Sequence, residues 1–174
     1  MRVLGVDPGT ILTGWGIVDC EGSRLRYVAS GVVQAGRGEL GARLAMVHAR
    51  LCEVIGLHGP EVLSLERNFL AANVQSAFRL GEARGVAMAA AASRGLALSE
   101  YTPATIKKAI VGHGRADKAA VQSAVVRLLG LLRPPQADEA DALAAAACHG
   151  LRMPYESKLA AALRSRSVRV VRRQ

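Results

Sequence analysis

Four carboxylates in this chain stand where side chains can work on a phosphodiester. Asp7 and Glu66 each close a short apolar run, and Asp138 and Asp141 lie three residues apart in an Ala-rich stretch. Residues at i and i+3 share one face of a helix, so the last two acids would project together. Carboxylates about 4 Å apart repel by about 4 kcal/mol at an effective dielectric near 20, so gathering three or four of them calls for cations. Oxygen ligands without a matching Cys or His set suit Mg²⁺ or Mn²⁺ rather than Zn²⁺. Two such ions roughly 3.5–4 Å apart activate a water and steady the leaving oxygen of an in-line displacement.

Each acid also has a plainer reading. Asp7 in Asp-Pro-Gly suits a turn, Glu66 beside Arg67 a surface ion pair, and Asp138, Glu139 and Asp141 a helix N-terminus. Their joint placement, at two strand ends and one helix face, argues for a single metal-binding cluster. Cationic residues accompany it: Lys107, Lys108, Arg115 and Lys118 surround the Gly112-His113-Gly114 loop, where amides and positive charge can hold phosphates. A solvated charged face is the alternative there. Phe69 follows Glu66 in Arg67-Asn68-Phe69-Leu70 and is suited either to core packing or to stacking on an unpaired base, worth about 1–3 kcal/mol per base.

The elements that must position these groups are legible from punctuation and period. Val3 to Asp7, stopped by Pro8-Gly9, reads as a buried strand; Gly14 to Cys20 and Leu25 to Gln34, joined through Glu21-Gly22-Ser23, read as a hairpin beside it. Leu40, Leu44, Val47, Leu51, Val54 and Ile55 recur at helical spacing until Gly59-Pro60. Val62 to Glu66 then returns as a strand parallel to the first. A long helix over 73–93, a strand from Leu96 to Tyr101, and helices over 103–111, 117–129 and 137–150 complete the order. In the last helix Asp138 and Asp141 share a face with Ala145 and with Cys148 or His149, leaving Ala140, Leu143 and Ala147 to pack. The fold class is α/β, with a five-stranded mixed sheet flanked by helices. If the first and fourth strands are neighbours, Asp7 and Glu66 emerge side by side at their carboxyl ends, where open α/β sheets place their sites.

The chain has 174 residues, 23 Lys or Arg against 14 Asp or Glu, and a net charge of +9. Seven of those 23 basic residues, but only Glu156 of the acids, follow Gly150. The expected division is one domain over residues 1–154 and a basic tail over 155–174, either a solubilising end or a nucleic-acid contact. Such a charge favours a polyanionic partner. Cys20, Cys52 and Cys148 form no C-x-x-C pair and read as reduced, apolar residues. Asp7 interrupts the N-terminal apolar run too early for a signal-peptide core, so no membrane span and a cytoplasmic location are expected.

Gly5-Val6-Asp7-Pro8-Gly9-Thr10 with Thr13-Gly14-Trp15-Gly16, Leu65-Glu66 with Phe69, and Gln136-Ala137-Asp138 with Ala140-Asp141-Ala142-Leu143-Ala144 together resemble the RuvC family of Holliday junction resolvases. Leu80-Gly81-Glu82-Ala83-Arg84-Gly85, Lys107, Val111-Gly112 and Lys118 extend the resemblance over roughly residues 1–150. It implies an RNase H-like fold, a homodimer, a branch-migration helicase partner, and Mg²⁺-dependent nicking of opposed strands of a four-way DNA junction. Asp7, Glu66, Asp138 and Asp141 match the family's four catalytic acids, although some members carry His at the position of Asp138. Lys107 and Lys118 match family positions for DNA contact or catalysis; Lys108 and Arg115 rest on local charge alone. Past Pro154 no family pattern is present.

A junction is nearly two-fold symmetric, so a C2 dimer would present two sites with matching symmetry. Gly81, Gly85 and Ala89 form a small-residue stripe open to a partner helix or to close packing on the chain's own sheet. Three rivals stand beside this reading: a YqgF-type RNase H-like nuclease acting on RNA, an actin-like or sugar-kinase-like ATPase suggested by Asp7-Pro8-Gly9-Thr10, and a junction-binding protein without catalysis.

Overall fold

The computed structural model describes residues 1–67 and 73–153. Its strands are β1 (Arg2–Asp7), β2 (Leu12–Glu21), β3 (Arg24–Gln34), β4 (Val62–Glu66) and β5 (Ala97–Tyr101). The helices are α1 (Leu40–His58), α2 (Val74–Ala92), α3 (Pro103–Val111), α4 (Lys118–Leu129) and α5 over residues 137–153. The five strands form one sheet in the order β3-β2-β1-β4-β5. The first three run antiparallel, and β4 lies parallel to both β1 and β5. The mixed sheet and the element order are those expected from the sequence.

Local chemistry sets the boundaries. Side chains of Glu39, Asn73, Thr102 and Asp117 accept the amides that open α1, α2, α3 and α4. Gly59, Gly112 and Gly130 end α1, α3 and α4 with a left-handed residue, a conformation costly for any other side chain. The central strands are covered on both sides, which is why β1 and β4 read as unbroken apolar runs.

Strand alternation divides the core into two layers. Leu4, Val6, Ile17, Leu63 and Leu65 face α1 and α2, packing on Val47, Leu51, Ile55, Ala87 and Ala90. Val3, Val18 and Val62 face the other way, onto α3, α4 and α5. Here α5 departs from the amphipathic expectation: Ala145, Cys148 and His149 are buried, as are Ala140, Leu143 and Ala147. The helix lies in the core rather than on it, and every residue from Ala142 to Gly150 is buried.

Glycines make that depth possible. Gly5 pairs with Gly16 across β1 and β2. A Cβ on Gly5 would run into the Ala142 carbonyl, one on Gly16 into Leu143, and one on Gly14 into the backbone of Asp138. These three glycines form a flat floor onto which the α5 backbone settles.

Candidate active site

The register of β1 and β4 brings the first two acids together. Val6 pairs with Leu65, so Asp7 and Glu66 are the next residues out at the carboxyl ends of adjacent parallel strands. Alternation puts Asp7 on the face of Val3 and Gly5, and Glu66 on that of Val62 and Ser64, both toward α5. Ser64 fixes the facing helix by donating its hydroxyl to the Ala145 carbonyl at 2.7 Å. Asp7 pairs with Gly14, over which the Asp138 backbone lies, so the helix enters the site beside Asp7. Asp141 follows one turn later, its Oδ2 held 2.9 Å from Lys118 Nζ.

The electrostatics agree with convergence. Burial, then the charges of Asp141, Asp138 and Glu66, push Asp7 up to about 7, with Lys118 opposing. Glu66 is also raised, first by burial and then by Asp141, while Lys107 and Lys118 pull it back. Lys118 is raised chiefly by its hydrogen bond to Asp141. A carboxyl near 7 is shared about equally between its protonated and ionised forms at neutrality, and a bound cation would displace the proton.

The plainer roles are filled by other residues. Thr13 closes the turn after Asp7, donating to the Gly9 carbonyl at 2.7 Å and accepting the Gly9 amide at 3.3 Å. Arg67 pairs with Glu100 at 3.7 Å, not with Glu66. Glu139 reaches back to the Gln136 amide at 2.8 Å, so the end of α5 is capped without Asp138 or Asp141.

Glu66 and Asp141 open onto a cleft of about 320 Å³ walled by Pro103, Ile106, Lys107, Lys118 and Val121. Lys107 and Lys118 therefore stand at the acids, whereas Lys108, Arg115 and His113 are exposed and lie off the cleft wall. Phe69 falls outside the described residues. Sequence reasoning gave no role to Arg84, whose Nη1 donates to the Glu66 carbonyl at 2.6 Å from α2, or to its ion-pair partner Glu100. The signal for Arg84 was a cation on the Ala-rich part of the helix, between buried Ala83 and exposed Gly85 and itself only partly exposed, unlike Arg79 on the same helix.

The donor set is carboxylate oxygen, fitting a hard divalent cation. Among the described residues no three Asp, Glu, His or Cys side chains are gathered closely enough to hold an ion as they stand. Coulombic coupling reaches further than ligation, which is how Asp141, Asp138 and Glu66 raise Asp7, and Asp141 raises Glu66, without chelating geometry. The Lys118 ammonium meanwhile supplies the positive charge at Asp141.

Residues 3–149 match the family model described as crossover junction endodeoxyribonuclease RuvC. A protein of that name from Thiobacillus denitrificans is 48% identical over 159 residues, covering 90% of this chain and 93% of the relative. The Thermus thermophilus RuvC structure superposes with a TM-score of 0.82 at 33% identity, over 90% of this chain and 97% of that one. The same Thermus thermophilus protein, in complex with a Holliday junction substrate, gives 0.83 at 33% identity, over 88% and 94%. The sheet is thus an RNase H-like one, and the chain belongs to the RuvC family of crossover junction endodeoxyribonucleases.

Proposed function

We propose that this protein resolves four-way (Holliday) DNA junctions by paired, metal-dependent nicks in opposed strands during recombination and repair. The observation that carries this reading is Asp7 and Glu66 side by side at the carboxyl ends of β1 and β4, with the charges of Asp138 and Asp141 acting on Asp7, in a chain that belongs to a junction endonuclease family. A relative 33% identical is described in complex with a Holliday junction substrate. These four acids would hold two Mg²⁺ ions, for which Mn²⁺ can substitute. The ions would supply an activated water and charge for the leaving oxygen. Lys107 and Lys118, on the cleft wall, would pair with the phosphate oxygens and orient the scissile bond for in-line attack. Phe69 would stack on an unpaired base at the junction centre, and Lys108 and Arg115 would follow the flanking backbone.

The active unit is a homodimer in this reading. Gly81, Gly85 and Ala89 face outward on α2, and the nearby Val74 and Phe78 are 73% and 69% exposed. Packing against the chain's own sheet falls to Ala83, Ala87, Ala90 and Ala91 instead. A branch-migration helicase complex, a nuclease domain over residues 1–154 with a basic tail over 155–174, and a cytoplasmic location complete the proposal. Among the described residues no helix is long and apolar enough to cross a membrane.

The test is cleavage of a mobile four-way junction, a linear duplex of the same sequence and a structured RNA, with Mg²⁺ and with chelator. Symmetric nicks in the junction alone, abolished by chelator, are expected. Equal cutting of linear duplex or preferential cutting of RNA would overturn the reading.

A further inference from the structure

We infer that Arg84 is a positioning residue for the carboxylate site, holding the end of β4 so that Glu66 is presented at a fixed depth; this rests on the role proposed for Glu66. The Glu66 carbonyl lacks its backbone donor from β1. The Glu61 carbonyl accepts the Ala97 amide and the Arg67 amide donates to the Tyr101 carbonyl, so within β4 the odd-numbered residues bond toward β5; only the Glu61 amide, just before the strand, turns to the Arg2 carbonyl of β1. Even-numbered residues, Glu66 among them, therefore bond toward β1. With Gly5 opposite Ser64 and Val6 opposite Leu65, the amide due to the Glu66 carbonyl is that of residue 8. Residue 8 is proline, which has no N–H.

Arg84 supplies the donor from the opposite layer. It rises from α2, on the Leu63 and Leu65 side of the sheet, and its Nη1 reaches the Glu66 carbonyl at 2.6 Å. Its Nη2 pairs with Glu100, whose strand register places it beside Leu65. Arg67, the residue after Glu66, pairs with the same carboxylate at 3.7 Å. One guanidinium and one carboxylate thus clamp the peptide of Glu66 from behind, while its side chain points forward into the cleft. A planar fork with two donating ends suits this double contact, and lysine reproduces only one arm of it. The Arg84 side chain is only 19% exposed, so the contact is shielded from much of the screening that weakens surface pairs.

A residue acting through geometry alters the chemical step more than binding. The experiment measures single-turnover nicking and junction affinity separately for Arg84→Ala, Arg84→Lys and Glu100→Gln, each below its melting temperature. Arg84→Ala is expected to slow nicking about 10–100-fold, the scale of a displacement near 1 Å. Its junction Kd should stay within about twofold, as for an interaction that matters in the transition state only. Arg84→Lys should recover part of the rate, and Glu100→Gln should show a smaller loss of the same kind. In the wild type the Arg67 amide nitrogen, on the peptide that Arg84 holds, should resonate at a shift that Arg84→Ala changes. Full nicking by Arg84→Ala, or a rate loss matched by lost affinity, would overturn the inference. If Arg84→Ala does not fold, Glu100→Gln decides by the same split. Failure of the proposed function looks different: Asp141→Asn would then nick junctions like the wild type, whereas a dead Asp141→Asn beside a fully active Arg84→Ala overturns the role of Arg84 alone.

Discussion

Asp7 and Asp19 lie on hydrogen-bonded neighbours, β1 and β2, yet at opposite ends of the sheet they live under opposite electrostatics. Asp19 takes both arms of Arg2 at 2.7 and 3.1 Å and Arg26 at 2.6 Å. Hydrogen bonding to Arg2 holds its carboxyl below the usual range. Burial first, and then the charges of Asp141, Asp138 and Glu66 with Lys118 in opposition, push Asp7 up to about 7. The sheet evidently can satisfy a partly buried acid, since Arg2 also ties β1 to the end of α1 through the His58 carbonyl at 2.6 Å. One end of the sheet is built for stability; the other carries unresolved repulsion that a cation would relieve, a familiar trade between stability and function.

The sharpest break between the two ends is catalytic. Asp141→Asn should lower junction nicking by about 10³-fold or more, since each lost 1.36 kcal/mol of transition-state stabilisation is tenfold. Asp19→Asn should leave the rate unchanged, as gel-resolved single-turnover cleavage would show.

Stability against pH, without divalent metal, separates them next. The folded pKa of Asp7 lies above its unfolded value of 3.8, so the native state binds the extra proton and stability is lost as pH rises from about 4 through about 7. Asp7→Asn should therefore be more stable than the wild type at pH 8, by on the order of 2–4 kcal/mol, and lose that advantage near pH 4. For Asp19 the folded pKa lies below 3.8, so its contribution is present above that value and disappears as pH falls through the folded pKa. Asp19→Asn should cost about 1–3 kcal/mol at neutral pH, the range of hydrogen bonds to charged groups, and less in acid. Urea melts across pH 3.5–8.5 check both signs.

Cation binding gives a third contrast. Mg²⁺ at about 100 times its Kd should stabilise the wild type by about 2.7 kcal/mol. Asp7→Asn should lose most of that gain, and Asp19→Asn none. The smallest effect is expected from the cleft wall: Lys107→Ala should reduce the slope of log affinity against log salt by about one phosphate contact, near 0.9, without changing junction preference.

The strands and helices were legible because their signals are local: apolar runs, helical period, and turn residues at each boundary. Parallel pairing of β1 and β4 followed from the intervening helix, and it carried Asp7 and Glu66 together. The depth of α5 was not legible from its own pattern. Ala145 and His149 are buried because Gly5, Gly14 and Gly16, more than a hundred residues away, remove the side chains that would hold the helix off. Helical periodicity describes a helix with one wet face, and it fails for a helix sunk into a glycine floor. Arg84 was hidden for a related reason, since its partner is a carbonyl whose usual donor is absent at Pro8. Lys107 and Lys118 were separable from Lys108 and Arg115 only once α3 and α4 had been oriented around the cleft.

The central claim, that the carboxylates at the ends of β1 and β4 form one metal-dependent nuclease site, is tested most directly with Asp7→Asn. Binding and Mg²⁺-dependent nicking of a mobile four-way junction would be measured on the same preparation. Retained junction affinity with nicking abolished is the predicted result. Nicking at the wild-type rate by that variant would contradict it.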